Sequence, residues 1–313
     1  MKYIVTGAAG FIGSHLCRRL LKQGGSVIGI DSFSDFYPKW IKETNLRAFL
    51  RQKNFEFIPQ DILQLDLKPL LKKTDVVFHM AAQPGVRTSW GTSFSVYTKN
   101  NIEATQKLLE AVKQVKIQKM IYASSSSVYG LCPDLPMSET STLYPFSPYG
   151  VTKLAAEHLC FLYSQNYGIP VISLRFFTVY GPRQRPDMAF HKFFKAVLDN
   201  KEITVFGDGT QTRDFTYIDD IIQANVSSIQ SGASGESYNI GGGTQRKLAD
   251  LIPILEDICQ KKIRIKYKKS QKGDVRHTLA DIKKAKMDLN YEPGTSLEEG
   301  LREEWGWIRR IYA

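Results

Sequence analysis

Tyr149 and Lys153 stand four residues apart in the stretch SPYGVTK, which reads as the first turns of a helix. Residues at that spacing share a helix face, so a phenol and an ammonium can both reach one substrate group. The pairing suits removal of a proton from an alcohol. A free phenol has a pKa of ~10, so a base for neutral pH needs a fall of roughly 3 units, about 4 kcal/mol. One ammonium about 4 Å away in a partly shielded site supplies roughly that much. Of the 15 tyrosines, Tyr149 alone has a lysine four residues on. The alternative is an ordinary aromatic at a helix start, because with this much lysine about one such pair arises by chance.

Two upstream features weigh against chance. The run KMIYASS has the look of a strand and closes on four consecutive serines, Ser124 to Ser127. The chain also opens with KYIVTGAAGFIGSHLCRRLL, a strand, a glycine loop and an apolar helix in succession. Gly7, Gly10 and Gly13 form G-x-x-G-x-x-G between that strand and helix, with Phe11 and Ile12 at the helix start. Such glycines allow a tight turn and close backbone approach, and the first amides of the helix can receive a pyrophosphate. The parts together are those of a site that oxidises an alcohol by hydride transfer to a dinucleotide. Asp31 ends the second strand, where a carboxylate accepts from both ribose hydroxyls and repels a 2′-phosphate, favouring NAD over NADP; an N-cap for the next segment is the other reading. Asp61 with Ile62 follows a third strand and can meet the adenine edge. Ala81, Ala82 and Gln83 follow a fourth, where small side chains let a flat cofactor lie on the backbone. Each of these also suits simple turn chemistry.

The elements that must position these residues follow an alternating rhythm. Strands are expected at Tyr3–Thr6, Val27–Ile30, Phe55–Ile58, Val76–Met80, Met120–Ala123 and Val171–Phe176. Helices are expected between them, at Phe11–Gln23, Ile102–Val115 and Tyr149–Tyr167. This predicts an α/β fold with a Rossmann-type, doubly wound parallel sheet. After Phe176 the pattern becomes irregular, with Gly-, Pro- and Arg-rich loops, a helix near Leu248–Gln260 and a strand at Ile263–Tyr267. A smaller C-terminal α/β substrate-binding lobe is expected there. Residues 1–176 with a return segment near 215–240 would form the NAD-binding domain, and residues 177–214 and 241–313 the lobe.

At 313 residues, with 42% hydrophobic and 23% charged residues, the chain can bury a large core and is ordinary for a globular protein. Its net charge of +11 is spread along the chain without a nucleic-acid-binding motif, so neither nucleic acid nor a membrane is expected as a partner. Cys17, Cys132, Cys160 and Cys259 lie far apart with no C-x-x-C, which argues against a metal site or a disulfide framework and suits a reducing, cytoplasmic location. No stretch approaches the length of a membrane span. His79, His158 and His191 have no partner legible in the sequence.

Read in order, TGAAGFIG, HMAAQPGVR, ASSSSVYG, SPYGVTKLAAE, LRFFTVYGPRQRPDMAF, FGDGTQTRDFTYIDD and GDVRHTLAD span nearly the whole chain. They resemble the landmarks of the extended short-chain dehydrogenase/reductase family, within it the nucleotide-sugar epimerases and dehydratases. RFFTVYGPRQRPDMAF together with AAQPGVR is similar to the UDP-glucuronate 4-epimerases. The resemblance implies a UDP-sugar substrate, bound NAD and a homodimer paired through a four-helix bundle. It implies Tyr149 as the base toward the sugar 4-hydroxyl, Lys153 as its helper and a ligand of the nicotinamide ribose, and Ser125 as a hydrogen-bonding partner of the same hydroxyl. Ser126 and Ser127 would line the sugar, with Thr178 and Met188 near it. Arg185 matches the arginine that grips a sugar carboxylate, and Arg213 and Arg276 those that hold the diphosphate. Arg87 falls in a loop on the same edge of the sheet.

The charges of such a substrate agree with that list, because guanidinium forks suit both diphosphate and carboxylate. Oxidation at C4 followed by return of the hydride to the opposite face would invert that carbon. A uronate passes through a β-keto acid on this route, and Arg185 is the candidate for holding its carboxylate against loss of carbon dioxide. A decarboxylase forming UDP-xylose, a neutral UDP-hexose 4-epimerase, and a non-catalytic NAD-binding scaffold or sensor are the competing readings. A 4,6-dehydratase is disfavoured, since its acid/base carboxylate pair is replaced here by Ser126 and Ser127.

Overall fold

The computed structural model describes residues 1–312. Its strands are β1 (Lys2–Thr6), β2 (Ser26–Ile30), β3 (Phe55–Ile58), β4 (Val76–His79), β5 (Lys119–Ser125), β6 (Val171–Phe176), β7 (Thr178–Tyr180), β8 (Ile203–Phe206), β9 (Thr212–Tyr217), β10 (Ser237–Ile240), β11 (Gln245–Lys247) and β12 (Ile265–Lys268). Its α-helices are α1 (Phe11–Lys22), α2 (Lys39–Leu46), α3 (Lys68–Leu71), α4 (Phe94–Tyr97), α5 (Ala104–Val112), α6 (Pro148–Tyr167), α7 (Ala189–Leu198), α8 (Ile218–Ser227), α9 (Leu251–Cys259), α10 (Lys283–Leu289) and α11 (Leu297–Tyr312).

Seven strands form one sheet in the order β10-β6-β5-β4-β1-β2-β3, every pair parallel. Short β-branched runs separated by helices can pair only in this way, because each crossover returns the chain to the same edge. Both faces of the sheet are covered. Ile4 and Val5, neighbours in β1, point to opposite sides. Ile4 joins Val77, Met120, Tyr122, Leu108 and Val112 in one core, while Val5 joins Phe78, Ile121, Leu16 and Leu174 in the other. The strand order reverses between β1 and β4, and a crevice opens there at the carboxyl ends of the strands.

The segment after β9 returns to this sheet: α8 packs on α1, and β10 adds to β6 with Tyr238 opposite Leu174. The irregular second half forms a three-stranded sheet β11-β9-β7, a parallel pair β12-β8, and α7, α9 and α11 packed together. Several of these elements were not legible in sequence, α7, α11, β8 and β9 among them. The helix expected at Ile102–Val115 begins earlier, at Phe94, and passes through a π-helical stretch, Thr98–Glu103, before continuing as α5. Asn101 lies in that wide turn. Its Oδ1 accepts from the Gln83 amide (2.7 Å), and its Nδ2 donates to the Gln83 carbonyl (3.1 Å) and to Thr152 Oγ1 (2.9 Å). One side chain thus ties the loop after β4 to the helix that begins at Pro148.

Candidate active site

A cleft of about 570 Å³ runs along the carboxyl edge of the seven-stranded sheet and under the smaller lobe. Gly7, Gly10, Phe11, Ile12, Gly13, Asp31, Asp61, Ile62, Ala81, Ala82 and Gln83 all line it at one end. The glycines are there for space. Gly7 has φ +69, and a Cβ on it would stand 2.9 Å from the Ala81 amide nitrogen. A Cβ on Gly13 would run into the Gly7 carbonyl. The loop can therefore press its backbone against a ligand at the start of α1.

Asp31 is buried at the end of β2, where its oxygens accept from the amides of Phe33 (2.8 Å) and Ala9 (3.1 Å). The buried Lys42 ammonium approaches to 4.0 Å of Asp31 and donates to the Ser34 carbonyl (2.8 Å). Asp61 Oδ1 accepts from the Leu63 amide at 2.9 Å, so its turn role and its place on the cleft wall coexist. Glycine loop, acidic strand end and small residues after β4 together fit the pyrophosphate, ribose and flat ring of a dinucleotide.

Ser125, Tyr149 and Lys153 line the same cleft. β5 runs as far as Ser125, whose Oγ accepts from the Ser127 amide (3.2 Å) and starts a short 3-10 turn through Ser126 and Ser127. Ser147 caps α6 by accepting from Gly150, and Pro148 sits in its first turn, which sets where Tyr149 begins. Burial pushes the Tyr149 phenol up, while the nearby Ser125 hydroxyl and the charge of Arg185 pull it down.

Lys153 is almost fully buried, its Nζ 4.4 Å from the centre of the Tyr122 ring, and burial pushes its ammonium down to about 7. The spacing argument expected the lysine to acidify the tyrosine. In the protein, Ser125 and Arg185 are the groups that favour the phenolate. Lys153 itself lies over the Tyr122 ring, and burial disfavours its charged form.

Ser124 turns away from this group, and its hydroxyl donates to Glu157 at 2.5 Å. His79 is a satisfied core residue, its ring nitrogens bonded to Thr6 and Thr105 hydroxyls.

At the far end Arg87, Ser126, Ser127, Thr178, Arg185 and Met188 line the cleft, with Phe206, Lys192, Asp187 and Asp274 beside them. Arg87 spans the mouth: it pairs with Asp274 at 2.7 Å and lies 4.3 Å from the centre of the Phe206 ring. Arg213 and Arg276 stand outside the lining. Arg213 donates to the carbonyls of Thr212 (2.8 Å) and Arg276 (3.1 Å), and the exposed Arg276 pairs with Asp208 at 3.3 Å. Among the described residues no cluster suited to a metal ion occurs, and the four cysteines are free.

The family profile of GDP-mannose 4,6 dehydratase matches residues 4–304. The chain belongs to that family. It is 42% identical to the UDP-glucuronate 4-epimerase of Thermodesulfobacterium geofontis over 98% of this chain and 96% of that one. It is 48% identical to an uncharacterized UDP-glucose epimerase of Bacillus subtilis over 100% and 99% of the two chains. Among solved structures, the UDP-glucuronic acid 4-epimerase of Bacillus cereus in complex with UDP-glucuronic acid and NAD superposes with a TM-score of 0.97 at 51% identity, each chain covered completely.

In this member of the GDP-mannose 4,6 dehydratase family several cleft residues escaped sequence reading. Lys42, Asp187 and Lys192 each lie on a helix or loop whose facing partner is remote in the chain or hidden in a loop fold. Asp187 had a signal available, being two residues from Arg185 in RQRPDM. Lys42 had none, since one lysine among many is unremarkable until α2 is packed beside Asp31.

Proposed function

We propose that this protein is an NAD-dependent epimerase that inverts C4 of UDP-glucuronate to give UDP-galacturonate through a transient 4-keto sugar. The observation that carries the reading is a single cleft lined by Ser125, Tyr149 and Lys153 together with the glycine loop, Asp31 and Arg185. Close likeness to UDP-glucuronate 4-epimerases over the whole chain supplies the substrate.

NAD, when bound, would supply a hydride acceptor and donor at C4. Gly7, Gly10 and Gly13 receive its diphosphate, and Asp31 with Lys42 its adenosine ribose. Tyr149 takes the 4-hydroxyl proton, assisted by the Ser125 hydroxyl, and gives it back on the return step. Lys153 binds the nicotinamide ribose. Arg185, with Ser126, Ser127 and Thr178, holds the sugar carboxylate, and Arg87 serves the UDP end. Residues 1–176 and 215–240 form the cofactor-binding unit on this reading, and the remainder covers the sugar nucleotide.

Incubation with UDP-glucuronate and NMR of the products tests the proposal. UDP-galacturonate is the expected product; UDP-xylose or a 4-keto pentose as the main product would overturn it. The 48% identity to a UDP-glucose epimerase favours a second reading, epimerisation of a neutral sugar. Turnover of UDP-glucose with little loss in Arg185→Ala would select that one.

Pairing of two copies through α4–α5 and α6 belongs to the same proposal. Phe94, Val96, Val151, Phe161 and Leu162 are large apolar side chains left exposed on these helices, and Val151 and Leu162 share a face. No described helix is long and apolar enough to cross a membrane, and four free thiols suit a reducing cytoplasm.

A further inference from the structure

Arg185 does not face the cleft as a free cation. Its Nε and Nη2 donate to the two oxygens of Asp187 at 2.9 and 3.0 Å, a bidentate pair along one edge of the guanidinium. The two residues belong to one tight turn, closed by the Met188 amide donating to the Arg185 carbonyl at 3.1 Å and followed directly by α7. A guanidinium carries five N–H groups in a fixed plane. With the Nε edge occupied, Nη1 and the second proton of Nη2 form the other fork, and Nη1 has no acceptor among the described residues. Arg185, Asp187, Tyr149 and Thr178 all line the same cleft.

We propose that Asp187 is a positioning residue that turns the free fork of Arg185 onto the substrate carboxylate and so limits decarboxylation of the 4-keto intermediate. The inference rests on the UDP-glucuronate reading given above. In the intermediate the carboxylate is β to the C4 ketone. Carbon dioxide leaves when the C5–C6 bond breaks, its electron pair passes to the ketone as an enolate, and C5 later takes a proton from water. That bond breaks readily only when aligned with the carbonyl π system. A carboxylate gripped in the ring's mean plane by a planar fork is misaligned, whereas an arginine free to swing grips it in many orientations. Asp187 also offsets part of the charge of Arg185, so direction matters to the grip alongside attraction. Lys192, exposed on α7, feels the same aspartate.

Positioning and charge make opposite forecasts for Asp187→Asn. Removing a negative neighbour strengthens the attraction of Arg185 for an anion, so KM for UDP-glucuronate does not rise. Loss of aim releases the intermediate, so the ratio of decarboxylated to epimerised product rises about tenfold, the scale on which small misplacements act. The experiment follows both products of UDP-glucuronate by NMR, with kcat and KM, for the NAD-loaded wild type, Asp187→Asn and Asp187→Glu. Asp187→Glu retains the carboxylate on a longer arm and is expected to fall between the other two; it also serves if Asp187→Asn does not fold. A wild-type product ratio in the variants, or an equal loss of both products, overturns the positioning role alone. A wild type that leaves UDP-glucuronate unchanged removes the functional reading and this inference together.

Discussion

Glu157 and Arg175 form a buried ion pair, Oε1 to Nη2 at 2.6 Å, one helical turn beyond Lys153 on α6. The second carboxylate oxygen of Glu157 accepts from Ser124, and Arg175 Nη1 donates to the Tyr129 hydroxyl at 2.8 Å, which donates to Asn239 at 2.6 Å. This chain of bonds ties α6, β5, β6 and β10 together behind the site.

Because both charges are desolvated, breaking the pair from one side is expected to cost more than removing it whole. Glu157→Gln should lose about 3–5 kcal/mol, and Glu157→Met with Arg175→Met should recover a large part of that. Urea unfolding of the wild type, both single variants and the double variant measures the coupling; strictly additive losses would count against it.

Lys153 should show a conflict between stability and function. Its pKa is about 7 in the folded protein and 10.5 as the ordinary value, so between these limits the unfolded chain holds more protons and stability rises with pH. Below pH about 7 the burial penalty applies in full. Lys153→Met is therefore expected to be inactive yet to melt higher than the wild type without cofactor, with the gain larger at pH 6.5 than at pH 9. An equal gain at both pH values would contradict the assignment.

Tyr149→Phe should lower kcat at least about a hundredfold, within the range of a lost general base, while leaving NAD bound through gel filtration. In Ser125→Ala, loss of the hydroxyl that favours the phenolate raises the Tyr149 pKa further, so the rising limb of the kcat profile should move to higher pH. A profile that stays in place would separate Ser125 from the proton transfer.

Gly13→Ala puts a methyl group into the Gly7 carbonyl, and the backbone must shift where the diphosphate is received. Dinucleotide affinity measured by calorimetry is expected to fall at least about tenfold, since close helix–strand approach is what the third glycine supplies. Gly24→Ala, where a Cβ meets nothing but φ is +81, serves as a strained surface control that should keep its affinity.

The parallel sheet and its glycine loop were legible because local pattern suffices for them. Short apolar runs at Ile4, Val77 and Ile121, spaced by helices, leave few topologies. The residues that gather in the cleft were also legible where a motif carries them, as at Asp31, Ser125 and Tyr149. Arg213 and Arg276 were chosen by likeness alone, and in the structure they bond to backbone carbonyls and to Asp208 rather than lining the cleft. The π turn at Thr98–Glu103 was hidden because its reason, the bonds of Asn101 to Gln83 and Thr152, joins three separate segments.

The amino-acid order by itself determined which elements form and which chemical groups the site contains, since periodicity, turn residues and side-chain type are local properties. Only the folded chain decided how those groups are tuned. Desolvation and proximity depend on what packs from afar: Tyr122 beneath Lys153, Asp187 against Arg185, Lys42 beside Asp31 and Asp274 across from Arg87. The charge state of the tyrosine and lysine, and the direction in which each arginine points, follow from those contacts.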